Sequence, residues 1–308
     1  MRRLMLAVLA ATLATAAFAA LSLAAPLGAS KAGGAEAKLA LPKLPALPPD
    51  VSARKRWLIG VKCDFPPFGF IDVTGRNGGY DVEVARRFAT LGFGRPNRVS
   101  LTCVTTPSRI PTLQSGRVDV IISTLTWTAA RAEVIDYSIP YYAATGRLLV
   151  KNDSSVSSLS DIKGKTVVTT RGALYVAWMK NCYKDTNILE VDGTAAAVLA
   201  VKDGRADAFM FDDAFVLGVA TQDRDLKLTS DTFLSVPWGI GIRKGDTATA
   251  RWVNAALNRM KANNEFAAIL RRNAPAKFVP GFLKTVPGPS TNFQYPVGKD
   301  PTADCSTG

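Results

Sequence analysis

One order of strand-like and helix-like segments occurs twice along this chain, and nothing else in the sequence limits its folding choices as much. From about Arg56, the run Trp57-Leu58-Ile59-Gly60-Val61-Lys62 reads as a buried strand. A helix is expected over 81–92, where Val84, Phe88 and Leu91 recur at helical spacing and Asp81 and Glu83 sit at the positive end. A strand over 99–104, a short helix over 109–115 and a third strand over 118–122 follow. A similar unit begins near Ser160, with strands at 166–170, 188–191 and 208–211 and helices at 173–182 and 194–201. The chain then returns through a strand at 236–242 and a long amphipathic helix over 247–273. Beyond Ala274 it looks irregular. Alternating β and α elements imply mainly parallel sheets covered by helices on both faces. Two such units, with crossings near 143–146 and 237–239, predict an α/β fold of two lobes joined by two crossover strands. A ligand would lie between the lobes, where strand ends and helix N-termini converge.

The third strand leads into Thr126-Trp127-Thr128-Ala129-Ala130-Arg131, followed by Asp136-Tyr137-Ser138-Ile139-Pro140-Tyr141-Tyr142. This layout gathers hydroxyls, helix-start N–H groups and a guanidinium, which together suit a carboxylate. A capped helix with a surface Arg is the plain alternative, and the second run of residues argues against it.

The N-terminus carries Arg2 and Arg3 before an apolar run from Leu4 to Leu23 and small residues that suit signal peptidase. Residues 1–29 read as a secretory signal, with an uncleaved anchor as the alternative. Residues 30–53, rich in Ala, Lys, Leu and Pro, read as a tether. Export places the protein in the periplasm. The formal charge is +13 and there is no His at all. Lys and Arg are scattered and no nucleic-acid motif occurs, so the charge favours anionic ligands rather than nucleic acid. Lack of His excludes Ser-His-Asp and H-E-x-x-H chemistry, and no phosphate-binding G-x-x-x-x-G-K-[ST] loop is present. No cofactor or structural metal is expected. Four cysteines allow three pairings. Cys63 and Cys103 end strands expected to be neighbours, which leaves Cys182 to Cys305.

Thr126-x-Thr128-x-x-Arg131 followed by Asp136-Tyr137-Ser138-x-Pro140-Tyr141-Tyr142 resembles the carboxylate-binding segment of the family 3 periplasmic solute-binding proteins, which serve amino-acid ABC transporters. Gly79-Tyr80-Asp81-Val82-Glu83-Val84 with Ala89 and Gly92 resembles that family's signature, although Phe88 stands where a smaller aliphatic is usual. Gly164-Lys165, Gly204-Arg205-Ala206-Asp207 and Ile240-Gly241-Ile242-Arg243 also resemble it, and the likeness runs over about 55–275. The resemblance implies the two-lobe Venus-flytrap fold, with lobe 1 from 54–144 and 238–275, lobe 2 from 145–237, and a tail from 276–308.

The resemblance also implies roles. Arg131 would pair the ligand α-carboxylate, supported by the Thr126 N–H, while Thr124 would offer its carbonyl to the α-ammonium. Asp212 would pair that ammonium from lobe 2, with helix capping as its plain alternative. Gly172 and Leu174 would close backbone N–H groups on the carboxylate. Arg171-Gly172-Ala173 departs from the family's S-G-T, which loses a hydroxyl and turns Arg171 toward the cleft. Phe65 would form an aromatic wall or belong to the core. Arg109 and Lys62 would favour an acidic side chain, glutamate or aspartate; otherwise Arg109 is a strut and Lys62 faces solvent.

The partners implied are an amino acid, a transporter permease and, through it, a cytoplasmic ATPase, with the binding protein a monomer. Two alternatives use the same fold: a cyclohexadienyl dehydratase acting on prephenate or arogenate, and a membrane-anchored sensor.

Overall fold

A computed structural model describes residues 43–307. The expected signal at 1–29 and most of the tether lie outside this range. The last part of the tether is not extended. Pro49–Arg54 forms a helix (α1), and Val51 from it is buried in the core. Pro at the first helical position and Asp50 in the first turn start this helix, and the left-handed Lys55 ends it.

The first lobe follows in the expected order. Trp57–Lys62 (β1) leads to a small antiparallel sheet of Asp64–Phe65 (β2), Gly69–Ile71 (β3) and Asn77–Gly78 (β4). Then come Tyr80–Phe93 (α2), Val99–Val104 (β5), Arg109–Gln114 (α3), Val120–Thr126 (β6), Ala129–Val134 (α4) and Ile135–Tyr137 (β7). Tyr142–Lys151 (β8) crosses to the second lobe. That lobe comprises Thr166–Thr170 (β9), Leu174–Cys182 (α5), Asn187–Val191 (β10), Thr194–Lys202 (α6), Ala208–Asp212 (β11), Asp213–Gln222 (α7) and Leu226–Leu228 (β12). Phe233–Arg243 (β13) returns, and Thr247–Ala262 (α8), Glu265–Asn273 (α9) and Val279–Phe282 (α10) complete the helices.

The main sheet runs β10-β9-β11-β8-β13-β6-β1-β5, with β12 on β8 and β7 on β13. Each half repeats one plan: three parallel strands and, beside the third, an antiparallel crossover strand. Buried on both faces, β6 and β11 are uniformly apolar or hydroxyl-bearing rather than alternating, until β11 ends in Asp212. Trp57, Phe88 and Trp252 pack together and fix α2 and α8 on β1. The two crossover strands pair with each other from Phe233–Gly146 to Trp238–Tyr142, so the lobes share one hinge ribbon.

Three sequence expectations change. The long helix over 247–273 breaks at Asn264, whose φ of 54° is left-handed, a conformation Asn tolerates better than most residues. The third strand extends past 122 to Thr126, which carries both site threonines inside the sheet. The tail is irregular in path but ordered in contact: Phe282 and Val286 are buried, and Cys305 is bonded to Cys182. Cys63 pairs with Cys103, as the adjacent β1 and β5 require. Among the described residues no helix is long and apolar enough to cross a membrane.

Candidate functional site

Arg131 sits in the first turn of α4. The Thr128 hydroxyl caps that helix by accepting the Arg131 N–H at 3.2 Å. The guanidinium donates to Thr126 O at 2.6 Å and, across the cleft, to Gly172 O at 2.7 Å. Thr126 O also accepts the Tyr137 hydroxyl at 3.0 Å. The structure therefore brings Arg131, Thr126 and Gly172 together, with Gly172 approaching lobe 1 at a φ of 74°. A Cβ there would stand 3.3 Å from Pro107 Cα, so glycine serves both the turn and the lobe contact.

On the second lobe, Asp212 ends β11. It is buried, and its carboxylate accepts the Tyr175 hydroxyl at 2.7 Å. Burial pushes its carboxyl up to about 6, against the lowering effect of the Tyr175 hydrogen bond. Its side chain does not cap α7. Asp213 instead accepts Thr145 N–H at 3.3 Å and Ala214 N–H at 2.8 Å, which ties the start of α7 to the crossover strand.

A cavity of about 10 Å³ lies between the lobes beside Asp212; Arg131 is not among the residues that line it. Thr106, Arg109, Thr124 and Thr126 line it from one lobe, and Leu174, Tyr175, Phe211 and Asp212 from the other. This space is about one water in size. Nothing larger than water fits it in this arrangement of the lobes.

Arg109 is buried, and its guanidinium donates to Ser123 O at 2.8 Å and Thr124 O at 3.0 Å. It is thus a strut that also lines the cavity. Burial, with Arg131 nearby, lowers it to about 9. The Thr124 carbonyl expected to face an ammonium is held by Arg109 in this arrangement. Lys62 does not face solvent: it is fully buried, 2.9 Å from the Thr106 hydroxyl and 3.0 Å from Asp64. Burial pushes its ammonium below the usual range while Asp64 pulls it back.

Phe65 is fully buried among Phe68, Phe211, Phe215 and Trp238, and Phe211 stands at the cavity instead. Arg171 turns away from the cleft and pairs with Asp192 at 2.9 Å on the surface. Asp81 had only a helix-start role in the sequence. It is fully buried, accepting Thr124 N–H at 3.1 Å and the Tyr141 hydroxyl at 3.0 Å. Burial raises its carboxyl to about 7. Sequence reasoning missed Tyr175 and Phe211, because an aromatic residue at a helix start or strand end reads as core. Among the described residues no acidic or Cys cluster suits a metal ion.

A family profile described as "Bacterial extracellular solute-binding proteins, family 3" matches residues 58–275. The glutamine-binding protein of Geobacillus stearothermophilus is 36% identical over 196 residues, which cover 63% of this chain and 75% of that protein. The ABC transporter glutamine-binding protein GlnH of Bacillus subtilis is 32% identical over 217 residues, covering 70% and 80%. Among solved structures, the cysteine-binding protein of Campylobacter jejuni superposes with a TM-score of 0.71 at 27% identity, covering 74% of this chain and 92% of that one. These matched proteins are binders, so the dehydratase alternative loses its footing. A profile match over most of the folded chain, on two lobes that repeat one sheet plan, shows that this chain belongs to the family 3 bacterial extracellular solute-binding proteins.

Proposed function

We propose that this protein captures a single α-amino acid between its lobes, outside the cytoplasm, and presents the closed form to the permease of an ABC transporter. The observation that carries this reading is that Arg131 on lobe 1 reaches Gly172 across the cleft while Asp212 on lobe 2 lines the interlobe cavity within the electrostatic reach of Arg131. In this reading the ligand carboxylate replaces the carbonyl partners of Arg131, and the ammonium takes the free side of Asp212. A ligand that bridges both lobes favours the closed form through contacts absent from the open one. The matched relatives, two of them named as glutamine-binding, support an amino-acid ligand.

The charge balance supports an acidic side chain. Lys62 is neutralised by Asp64, which leaves Arg109 and Arg131 against Asp212 and a surplus of positive charge. A second ligand carboxylate would balance it, whereas an unpaired buried cation costs several kcal/mol. Glutamine is the second reading: the two relatives favour it, and Asp81, once ionised, cancels one cation. Isothermal titration of refolded protein with glutamate, aspartate, glutamine and arginine separates the readings. Glutamate or aspartate binding at least tenfold tighter than glutamine supports the acidic ligand. The reverse order selects glutamine, and binding of none of the four overturns the amino-acid site.

A further inference from the structure

The family match ends at 275, yet the chain continues for 33 residues and its described part touches both lobes. On lobe 1, Thr285 O accepts the N–H of Ala143 at 2.8 Å, and Lys261 Nζ reaches Asn292 Oδ1 at 2.6 Å. Tyr295 then enters the edge of the carboxylate segment. Its ring stacks on Trp127 at 6.1 Å and packs edge-on against Tyr137 at 5.8 Å. Its hydroxyl donates to Ser138 O at 2.7 Å. A Cβ at Gly239 would overlap that hydroxyl, so the returning crossover strand leaves room for it. On lobe 2, Thr302 O accepts Asn181 Nδ2 at 2.8 Å, Asp304 O accepts the Trp178 indole N–H at 2.9 Å, and Cys305 is bonded to Cys182.

From these contacts we infer that the segment from Thr285 to Cys305 is a strap across the two lobes, and that Tyr295 is a positioning residue for the ligand site. Trp127 lies between the site residue Thr126 and Thr128, which caps α4. Tyr137, the other ring against Tyr295, holds Thr126 O, which Arg131 also uses. One end of the strap therefore sets the segment that carries Arg131, and the other is covalently fixed to lobe 2. Only six residues separate Tyr295 from Thr302, a reach of about 25 Å when fully extended. Two turns fold up this length in the closed form, closed by Lys299 N–H to Pro296 O and Ala303 N–H to Asp300 O. The strap thus permits opening by unwinding its turns, limits how far opening goes, and favours reclosure. The bearing on ligand release rests on the amino-acid-binding reading; the limit on opening does not.

The test attaches spin labels at Asn97→Cys and Arg205→Cys, both exposed and one on each lobe. The interlobe distance distribution is then measured without ligand, alongside amino-acid dissociation rates by stopped flow. Tyr295→Ala, the pair Cys182→Ala with Cys305→Ala, and their combination are compared. Each change alone is expected to broaden the distances toward longer values and speed dissociation about tenfold, the scale of one aromatic contact with one hydrogen bond. The combination adds little to either, because a strap works only with both ends fastened. Additive effects, or unchanged distances in every variant, overturn the strap. Tyr295→Phe keeps the stacking and loses only the bond to Ser138 O, and it should show a smaller broadening even if Tyr295→Ala folds poorly. If no amino acid binds but the distances still broaden non-additively, the ligand assignment fails and the strap stands.

Discussion

Asp212 should make ligand affinity and ligand-free stability respond to pH in opposite directions. Its carboxyl is raised from 3.8 to about 6 by burial. Only the carboxylate pairs with an ammonium, so the site is ready above pH 6. Near pH 5 roughly one molecule in ten carries the charge, and the apparent Kd rises about tenfold, or ~1.4 kcal/mol. Without ligand the sign reverses. An acid whose folded pKa exceeds its unfolded value contributes stability that is complete below about 3.8 and lost as pH rises through about 6. At ~1.4 kcal/mol for each pH unit, that contribution is ~3 kcal/mol. Isothermal titration from pH 5 to 8, with thermal melts in the presence and absence of ligand, reads both effects. Asp212→Asn should weaken binding about 100-fold or more, flatten the pH slope of Kd below pH 6, and remove the ligand-free stability trend of this group. Asp81→Asn provides the control, since that carboxyl titrates near 7. A wild-type Kd that is flat between pH 5 and 7, or a slope that survives the Asp212→Asn change, would refute the reasoning.

Further outcomes follow from the same geometry. Arg131→Ala should weaken amino-acid binding by about 100-fold or more with an unchanged far-UV spectrum, since it removes the charge-assisted contact to the ligand carboxylate; native affinity in a titration would contradict this. Lys62→Met should cost stability, because it leaves Asp64 without its buried ammonium. It should also reduce the preference for glutamate over glutamine, both readable by melting and competition titration. Replacing Cys63 and Cys103 by Ala opens a link between residues 40 apart, for which loop entropy predicts roughly 4 kcal/mol in urea unfolding. A smaller loss in affinity is expected alongside, because the link holds the strand ends that carry Lys62 and lead to Thr106.

Most of the fold is legible in the sequence because its signals are local. Strands 99–104 and 166–170 emerge at their expected bounds, since β-branched runs between turn residues leave few alternatives. The break at Asn264 was hidden because the apolar spacing continues through it and only one residue changes conformation. The site divides in the same way. Arg131 and Gly172, marked by a motif and a turn glycine, meet across the cleft, and Asp212, marked by a strand end, lines the interlobe cavity. The partnerships of Lys62, Arg109 and Asp81 are three-dimensional. Each is a charge on an apolar background, and nothing along the chain says that Lys62 meets Thr106 or that Arg109 meets two carbonyls. Tyr295 was invisible for a similar reason, because a lone aromatic in a Pro- and Gly-rich tail has no periodicity to declare its contact.

The hinge ribbon of β8 and β13 has a consequence for information flow. At its centre Ala143 and Pro237 stand opposite each other without exchanging a bond: Pro237 O accepts the Trp127 N–H just past β6, and the Ala143 N–H goes to Thr285 O in the tail. If the lobes turn as the proposed function requires, this two-strand ribbon is the place about which each turns as a block. The outer rims then register a single variable, the angle between two blocks. Any solute that completes the cleft yields the same outer surface, whatever its side chain. A receiver reading those rims learns that something is bound without learning what it is, so discrimination has to be finished inside the cleft before the lobes shut.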